Sequence, residues 1–227
     1  MFNKIDKNHD KIEQVKSLAF SIAHETRNPL AGIKGCCELM KDNLNQLIEY
    51  IDLIYDSSSQ GLAMIDMIMA NIREGEIDKS NFTEISISDV VKKSLKQFTY
   101  RNEEEKDLVN FNLEQNFIFR GDENMMIFVI YNLLKNALHY KVKIEIRAEI
   151  KSDGNYLYFK DYGPGIESDK LELIFESFFT SGKKDGTGLG LPFCRRIMRA
   201  FDGEIICKSE VGKGTEFEMR FLKLIQD

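Results

Sequence analysis

The chain has 227 residues, enough for one or two domains, and 43% of them are apolar, enough to furnish a core. Its formal net charge of −6 argues against a nucleic-acid binder, which carries a basic stripe. No apolar run reaches the ~18–20 residues needed to cross a bilayer, and no signal-peptide pattern opens the chain, so a cytoplasmic protein with no membrane contact of its own is expected.

Residues 1–10 are polar and read as a lead-in. From there Ile12, Val15, Leu18, Ala19 and Ile22, then Ile33, Cys37, Met40 and Leu44, recur at steps of three and four, which predicts one face of an amphipathic helix. His24 falls beside that seam, with Glu25 next to it. Pro29 cannot donate to the Glu25 carbonyl and its ring crowds it, so a bend is expected one turn past the histidine. A histidine near an apolar face is commonly only structural. Here an acid, an arginine and a helix-bending proline stand within five residues of it, which sets His24 apart. The string His24-Glu25-Thr26-Arg27-Asn28-Pro29-Leu30 resembles the H-box of sensor histidine kinases, where the histidine is the phosphoacceptor on a dimerising helical hairpin.

Asp42-Asn43-Leu44-Asn45-Gln46 reads as a turn. A second helical pattern follows through Leu47, Ile51, Ile54, Ser58, Leu62, Ile65, Ile68, Met69 and Ile72. Two such helices cannot bury their seam alone, and pairing with a second copy into a four-helix bundle is the economical solution. Met64, Met67 and Met69 read as core filling. Cys36, Cys37, Cys194 and Cys207 show neither metal-ligand nor disulfide spacing, and are expected to be reduced, mostly buried thiols.

The helical pattern stops at Arg73-Glu74-Gly75-Glu76, and composition changes there, giving expected domains at 1–76 and 77–227. In the second, Phe82–Ile87 alternates as a strand, and Ser88 is expected to cap a helix through Tyr100. The run Glu103–Asp107 reads as a solvated loop. Val109–Leu113 and Phe117–Phe119 read as short strands, and Asp122 as the cap of an apolar helix through Tyr140. Val142–Lys151 and Tyr156–Lys160 read as a hairpin about Ser152–Asn155. A helix at Glu167–Phe179, a glycine-rich loop, a helix at Leu189–Phe201 and strands at Glu204–Ser209 and up to Leu222 complete it. The expected fold class is multidomain, α followed by α+β: a long helical hairpin, then an α/β sandwich whose mixed sheet has helices on one side.

Four stretches of the second domain carry chemistry. Asn132 and Asn136 lie four apart on one helix face, and an asparagine carbonyl suits Mg²⁺, although such a pair can be merely solvated. Asp161-Tyr162-Gly163-Pro164-Gly165-Ile166 follows a strand: its carboxylate can accept from an exocyclic amine, and its glycines permit a sharp turn, although an ordinary tight turn reads the same way. In Gly182–Leu191, glycines let backbone N–H groups face phosphates ahead of a helix N-terminus. No Gly-Lys-Ser/Thr closes it as a Walker A, and its context is not that of a dinucleotide fold. Gly212-Lys213-Gly214-Thr215 could be a simple hairpin turn.

In this order the four resemble the N, G1, G2 and G3 boxes of the GHKL (Bergerat) ATPase fold. Phe175, Phe178 and Phe179 resemble the F-box that borders its lid. The resemblance runs from about residue 12 to 222. It implies ATP as substrate with Mg²⁺ held by Asn136, and Asn132 beside it. It implies Asp161 as the reader of the adenine amine, Gly163, Gly165, Ile166 and Thr215 among the nucleotide-binding residues, and Tyr140 against adenine or ribose. Gly186, Thr187, Gly188, Leu189 and Gly190 would close over the triphosphate. His139 stands where the family usually carries lysine or arginine towards phosphate. The connection after Tyr140 and the lid are short, which leaves Lys183 or Lys184 to supply phosphate charge. The H-box and short lid bear a faint resemblance to quorum-sensing receptor kinases.

The activity so implied is that of a histidine autokinase. His24 would take the γ-phosphoryl group with Glu25 accepting its proton, then pass it to an aspartate on a response regulator receiver domain. Glu25–Asn28 matches the Glu-x-x-Thr/Asn pattern that supports regulator dephosphorylation in related kinases, with Asn28 orienting water. Implied partners are a second copy of the chain, the receiver domain, and an upstream sensor domain or partner protein. The rival readings are a GHKL ATPase of another kind and a non-catalytic nucleotide-binding scaffold.

Overall fold

The computed structural model of the chain describes residues 77–180 and 188–224 and, of the N-terminal part, Arg27, residues 30–40, Ile48, Tyr50, Ile51, residues 53–55, Ser57, Ser58, Gly61 and Ile65. The chain divides into two compact units, residues 1–75 with 184–187, and residues 76–183 with 188–227.

In the first unit every described residue up to Ile65 is helical. A Cβ built on Gly32 would stand 3.0 Å from the Ser57 Oγ, so the two helical stretches approach closely there. Among the described residues the sheltered positions are Ile33, Gly35, Cys36 and Met40 on one stretch and Tyr50, Ile54, Ser57, Ser58 and Gly61 on the other. Cys37 and Ile51, expected in the seam, are instead exposed, as are Ile65 and Leu30. A single hairpin can cover only the stripe that faces its own partner helix, and the flanking apolar residues stay outside it. The expectation of mostly buried thiols therefore fails: Cys194 is buried, Cys36 and Cys207 are half-buried and Cys37 is exposed. His24, the bend at Pro29, the 42–46 turn and Met64, Met67 and Met69 lie outside the described residues.

The second unit runs β1 (Thr83–Ser86), α1 (Ile87–Gln97), α2 (Glu103–Asp107), β2 (Val109–Asn112), β3 (Ile118–Gly121), α3 (Glu123–Leu138), β4 (Ile144–Lys151) and β5 (Gly154–Asp161). After two 3-10 turns, Ser168–Lys170 and Leu173–Phe175, come α4 (Gly190–Ala200), β6 (Glu204–Glu210) and β7 (Gly214–Phe221). The five-stranded sheet has the order β2-β4-β5-β7-β6, with β2 parallel to β4 and the other pairs antiparallel. Strands β1 and β3 form a separate antiparallel pair.

Alternation sets the inward face of the sheet: Thr215, Phe217, Met219 and Phe221 of β7 are all buried. Phe119 of β3 meets Phe221 and Phe201, with ring centroids 4.8 and 5.5 Å apart, which joins the small sheet to the core. Helix α3 packs against α1 and α4, the latter through Phe128 edge-on to Phe193. On the outward face of β5, Tyr156 and Tyr158 stack 5.8 Å apart, with the Arg147 guanidinium 4.0 Å above the Tyr158 ring. Lys151 covers both rings, so these two tyrosines are buried by the sheet's own long side chains rather than by a helix.

Four local expectations are corrected. Helix α1 is capped by Ser86, whose hydroxyl accepts from the Asp89 N–H, because Ser88 is buried and donates to the Leu113 carbonyl. The helix stops before Phe98, which turns extended and packs edge-on to Tyr131 and Tyr100. Burial pushes the Tyr100 phenol up to about 12. Residues Glu167–Phe179 form the two 3-10 turns and no long helix: the chain is already extended at Glu176, with φ −82° and ψ 138°, and Phe178 adopts a φ of 70°. The charged run at Glu103–Asp107 is a helix, not a loop. Asn102 accepts from the Glu105 N–H at 2.9 Å, and the buried Glu105 carboxylate accepts from the Arg101 N–H at 2.9 Å, a reciprocal cap.

That cap separates two neighbouring glutamates. Glu105→Ala should lower stability by about 1 kcal/mol, whereas Glu104→Ala on the exposed side should stay within about 0.5 kcal/mol of wild type. Urea unfolding of the two variants measures the difference, and equal midpoints would contradict the cap.

Candidate functional site

Strand β5 ends on Asp161, which is 9% exposed and faces inward. Its Oδ1 accepts from the Gly163 N–H at 2.9 Å, closing a tight turn. A Cβ on Gly163 would come 2.8 Å from that oxygen and push the carboxylate aside. Register places Asp161 directly opposite Thr215 of β7, so the two side chains share one face. Gly214 has a φ of 104°, and a Cβ there would lie 2.1 Å from the Asp161 carbonyl, so the β7 strand can approach β5 only with glycine at this point.

The Gly163–Ile166 turn lies on the β6–β7 turn. The Gly212 N–H donates to the Pro164 carbonyl at 2.8 Å, and the Ile166 N–H to the Ser209 Oγ at 2.8 Å. The Ser209 hydroxyl is also 2.7 Å from the Gly214 carbonyl and 3.0 Å from the Thr215 Oγ1. The two glycine motifs at 163–165 and 212–214 are therefore one structure around Asp161 and Thr215. Tyr162 faces outward, donating to a Glu145 carboxylate that hydrogen bonds from Lys143 and Tyr162 itself hold below the usual range. Cys207, two residues before Ser209, is pushed up to about 12 by burial and by the Asp161 and Glu172 carboxylates, so its thiol stays protonated.

A second group gathers at the N-terminus of α4. The Asn132 NH₂ donates to the Phe128 carbonyl at 3.1 Å, and its Oδ1 lies so near Gly190 that a Cβ there would be 2.1 Å away. Asn132 thus spaces α3 from α4, while Asn136 sits half-buried one turn on. The Phe178 N–H donates to the Gly188 carbonyl at 2.9 Å, and a Cβ on Gly188, whose φ is 65°, would meet the Phe178 backbone at 2.5 Å. Leu189 is buried beside them. His139 and Tyr140 are exposed at the end of α3, ring edge to ring face at 5.0 Å. The connection they open passes Val142 against Gly163, and its Lys143 carbonyl accepts from the Tyr162 N–H at 3.1 Å, so it borders the Asp161 turn.

The structure thus brings Asp161, Gly163, Gly165, Ile166 and Thr215 together at one end of the sheet, and Asn132, Phe178, Gly188, Leu189 and Gly190 at the start of α4. His24, Glu25, Asn28, Lys183, Lys184, Gly186 and Thr187 lie outside the described residues. Sequence reasoning missed Ser209. Its signal is a polar residue in the inward phase of β6, after Ile205 and Cys207. No cluster of three or more His, Cys, Asp or Glu able to hold a metal occurs among the described residues. A cation here would rest on the Asn136 carbonyl oxygen and on oxygens brought by a ligand, which fits a hard ion such as Mg²⁺.

This mixed sheet, with two glycine turns clasping a carboxylate at a strand end, defines an ATPase-type nucleotide fold. Residues 121–225 match the histidine kinase-, DNA gyrase B- and HSP90-like ATPase family, and residues 15–75 match the His Kinase A phospho-acceptor domain. The chain belongs to the histidine kinase family, carrying its phospho-acceptor and ATPase domains in that order. It is 33% identical to the CAI-1 autoinducer sensor kinase/phosphatase CqsS of Vibrio cholerae, over 96% of this chain and 35% of that protein. It is likewise 33% identical to the autoinducer 1 sensor kinase/phosphatase LuxN of Vibrio harveyi, over 93% of this chain and 26% of that protein. The chain therefore spans about a third or less of the length of these relatives. Among solved structures, the catalytic domain of histidine kinase ThkA aligns with a TM-score of 0.54 at 27% identity, covering 63% of this chain and 96% of that one.

Two glycines of the clasp separate strain from crowding. Gly165 and Gly212 both have positive φ, 76° and 81°, yet a Cβ on Gly165 would lie 2.2 Å from the Glu210 carbonyl while Gly212 has nothing within 4 Å. Gly212→Ala should cost about 1 kcal/mol from its backbone alone. Gly165→Ala should cost roughly twice that or more, because two backbones must part. Thermal unfolding of the two variants gives the comparison, and an equal loss would place the 163–166 turn off the β6–β7 turn.

Proposed function

We propose that this chain is the catalytic core of a two-component histidine kinase. Its second domain, residues 77–227, would bind ATP–Mg²⁺, and its first, residues 1–76, would carry the phosphoacceptor His24. The observation that carries this reading is the inward-facing Asp161 beside Thr215, clasped by glycine turns, in a chain whose residues 15–75 match a phospho-acceptor family. An ionised aspartate offers only acceptors, which suits an exocyclic amine.

The residues then divide the work. Asp161 and Thr215 take the adenine, with Tyr140 against the base or ribose. Gly188, Leu189 and Gly190, with Gly186 and Thr187, present backbone N–H groups to the phosphates at the α4 N-terminus. Asn136 would hold Mg²⁺, which neutralises phosphate charge. Lys183 and Lys184 would supply positive charge to the phosphates, and His139 would stand towards them. A neutral His24 nitrogen attacks the γ-phosphorus in line; the N–P bond forms, the bond to the bridging oxygen breaks, and ADP leaves. Glu25 accepts the proton from the other ring nitrogen, and positioning supplies much of the rate. The phosphoryl group then passes to an aspartate of a receiver domain.

Exposed apolar residues of the helical unit, among them Leu30, Leu39, Ile48, Ile51 and Leu53, support a homodimer through a four-helix bundle. Asn28, four residues after His24 in the sequence, would orient a water for dephosphorylation of the regulator. The relatives' kinase/phosphatase names support that second activity. No helix among the described residues is long and apolar enough to cross a membrane. We place this part of the protein in the cytoplasm, driven by a sensor domain or a partner protein.

With γ-labelled ATP and Mg²⁺, wild type should acquire label that is lost in acid and kept in base, the signature of phosphohistidine. His24→Gln should bind ATP as wild type does and acquire none. Label on the variant at the wild-type level would place the acceptor elsewhere. ATP hydrolysis without any labelled protein would favour an ATPase of another kind.

A further inference from the structure

The Ser209 hydroxyl has a single proton and three oxygen or nitrogen neighbours, and that imbalance fixes the direction of every bond in the cluster. Its Oγ lies 2.7 Å from the Gly214 carbonyl, which can only accept. The Ser209 proton must therefore lie on that line, since two oxygens at this separation repel without one. The Ile166 N–H can only donate, and it does so to Ser209 at 2.8 Å. One lone pair of Ser209 remains for its 3.0 Å contact with the Thr215 Oγ1. In that contact Ser209 has no proton left to give, so Thr215 is the donor. The Thr215 proton is thereby turned towards β6, away from the strand that carries Asp161, and Thr215 keeps only lone pairs for any other partner.

We propose that Ser209 is a positioning residue that locks the Thr215 hydroxyl as an acceptor and so makes the purine end of the site accept only a hydrogen-bond donor. Asp161, directly across the sheet from the buried Thr215, is acceptor-only as a carboxylate. A 6-amino purine supplies protons to both. A 6-oxo purine brings an acceptor against two acceptors and leaves them unpaired. The inference rests on the nucleotide reading given above and adds to it the polarity that selects the base. It also assigns a function to a residue outside the glycine motifs, acting through Thr215 rather than by contact with the nucleotide.

The test compares ADP with inosine diphosphate, each with Mg²⁺, by calorimetry on the full chain. Wild type should prefer ADP by about tenfold or more. In Ser209→Ala the freed Thr215 hydroxyl can turn and donate to a 6-oxo group, so the preference should fall by about threefold or more. Ser209→Thr keeps the hydroxyl and should restore the wild-type ratio. Thr215→Val has no proton to redirect and should keep more of the preference than Ser209→Ala, through Asp161. If Ser209→Ala does not fold, Ser209→Cys, whose thiol is the weaker donor, should narrow the ratio in the same direction. A folded Ser209→Ala with the wild-type ratio, or a Ser209→Thr as permissive as the alanine variant, would overturn the inference. So would a wild type that binds both nucleotides equally, although the nucleotide site would then stand. A wild type that binds no ADP would remove the nucleotide reading itself and this inference with it.

Discussion

The antiparallel register of β5 and β7, which sets Asp161 opposite Thr215, is the constraint on which the second domain depends. A slip of one residue would turn one of the two strands over and send Asp161 or Thr215 to the outward face, where Lys160, Tyr158 and Glu216 now stand. The register is held at the site end by close backbone approach. Gly214 lets β7 reach the Asp161 carbonyl, and Gly165 lets the following turn lie on Glu210. At the other end it is held by Phe221 against Phe117 and Phe119. Aromatic packing and glycine contacts thus specify the same pairing from opposite ends of one strand.

The helices transmit that fixed point to the rest of the site. Helix α3 is held at one end by its Asp122 cap, which accepts from the Met125 N–H at 2.9 Å, and its buried side chains seat it against α1 and α4. Asn132 then meets Gly190 where a larger residue could not fit, which fixes how near α4 can start. Phe178, held in a left-handed conformation by the Gly188 carbonyl, closes the other side. An aromatic residue at positive φ costs about 1–2 kcal/mol, and here it gathers the two ends of the 179–187 stretch on one hydrogen bond.

Much of this was legible in the chain. Asp122 announces α3, the alternation around Ser152–Asn155 announces the β4–β5 hairpin, and Asp161-x-Gly163-x-Gly165 stands out as a strand end with a forced turn. The failures have physical causes. Asn102-x-x-Glu105 is a reciprocal capping pattern, but its run of acids reads as solvated until the burial of Glu105 is seen. Ser86 and Ser88 are equally good caps by composition, and only the Leu113 carbonyl, distant in sequence, decides between them. The 167–179 stretch has helical periodicity, but Phe178 answers to Gly188, ten residues on. Ser209 is marked in sequence only by its inward phase in β6, because its partners lie in two other segments, the 163–166 turn and the start of β7.

A crystal structure of the second domain's site occupied by ADP, obtained from the full chain with Mg²⁺, addresses the central claim most directly. The account predicts the adenine amino group within about 3.2 Å of the Asp161 carboxylate, with the ring over the Gly163–Gly165 turn and the phosphates at the start of α4. A base seated elsewhere, with Asp161 facing only its own turn, would contradict it.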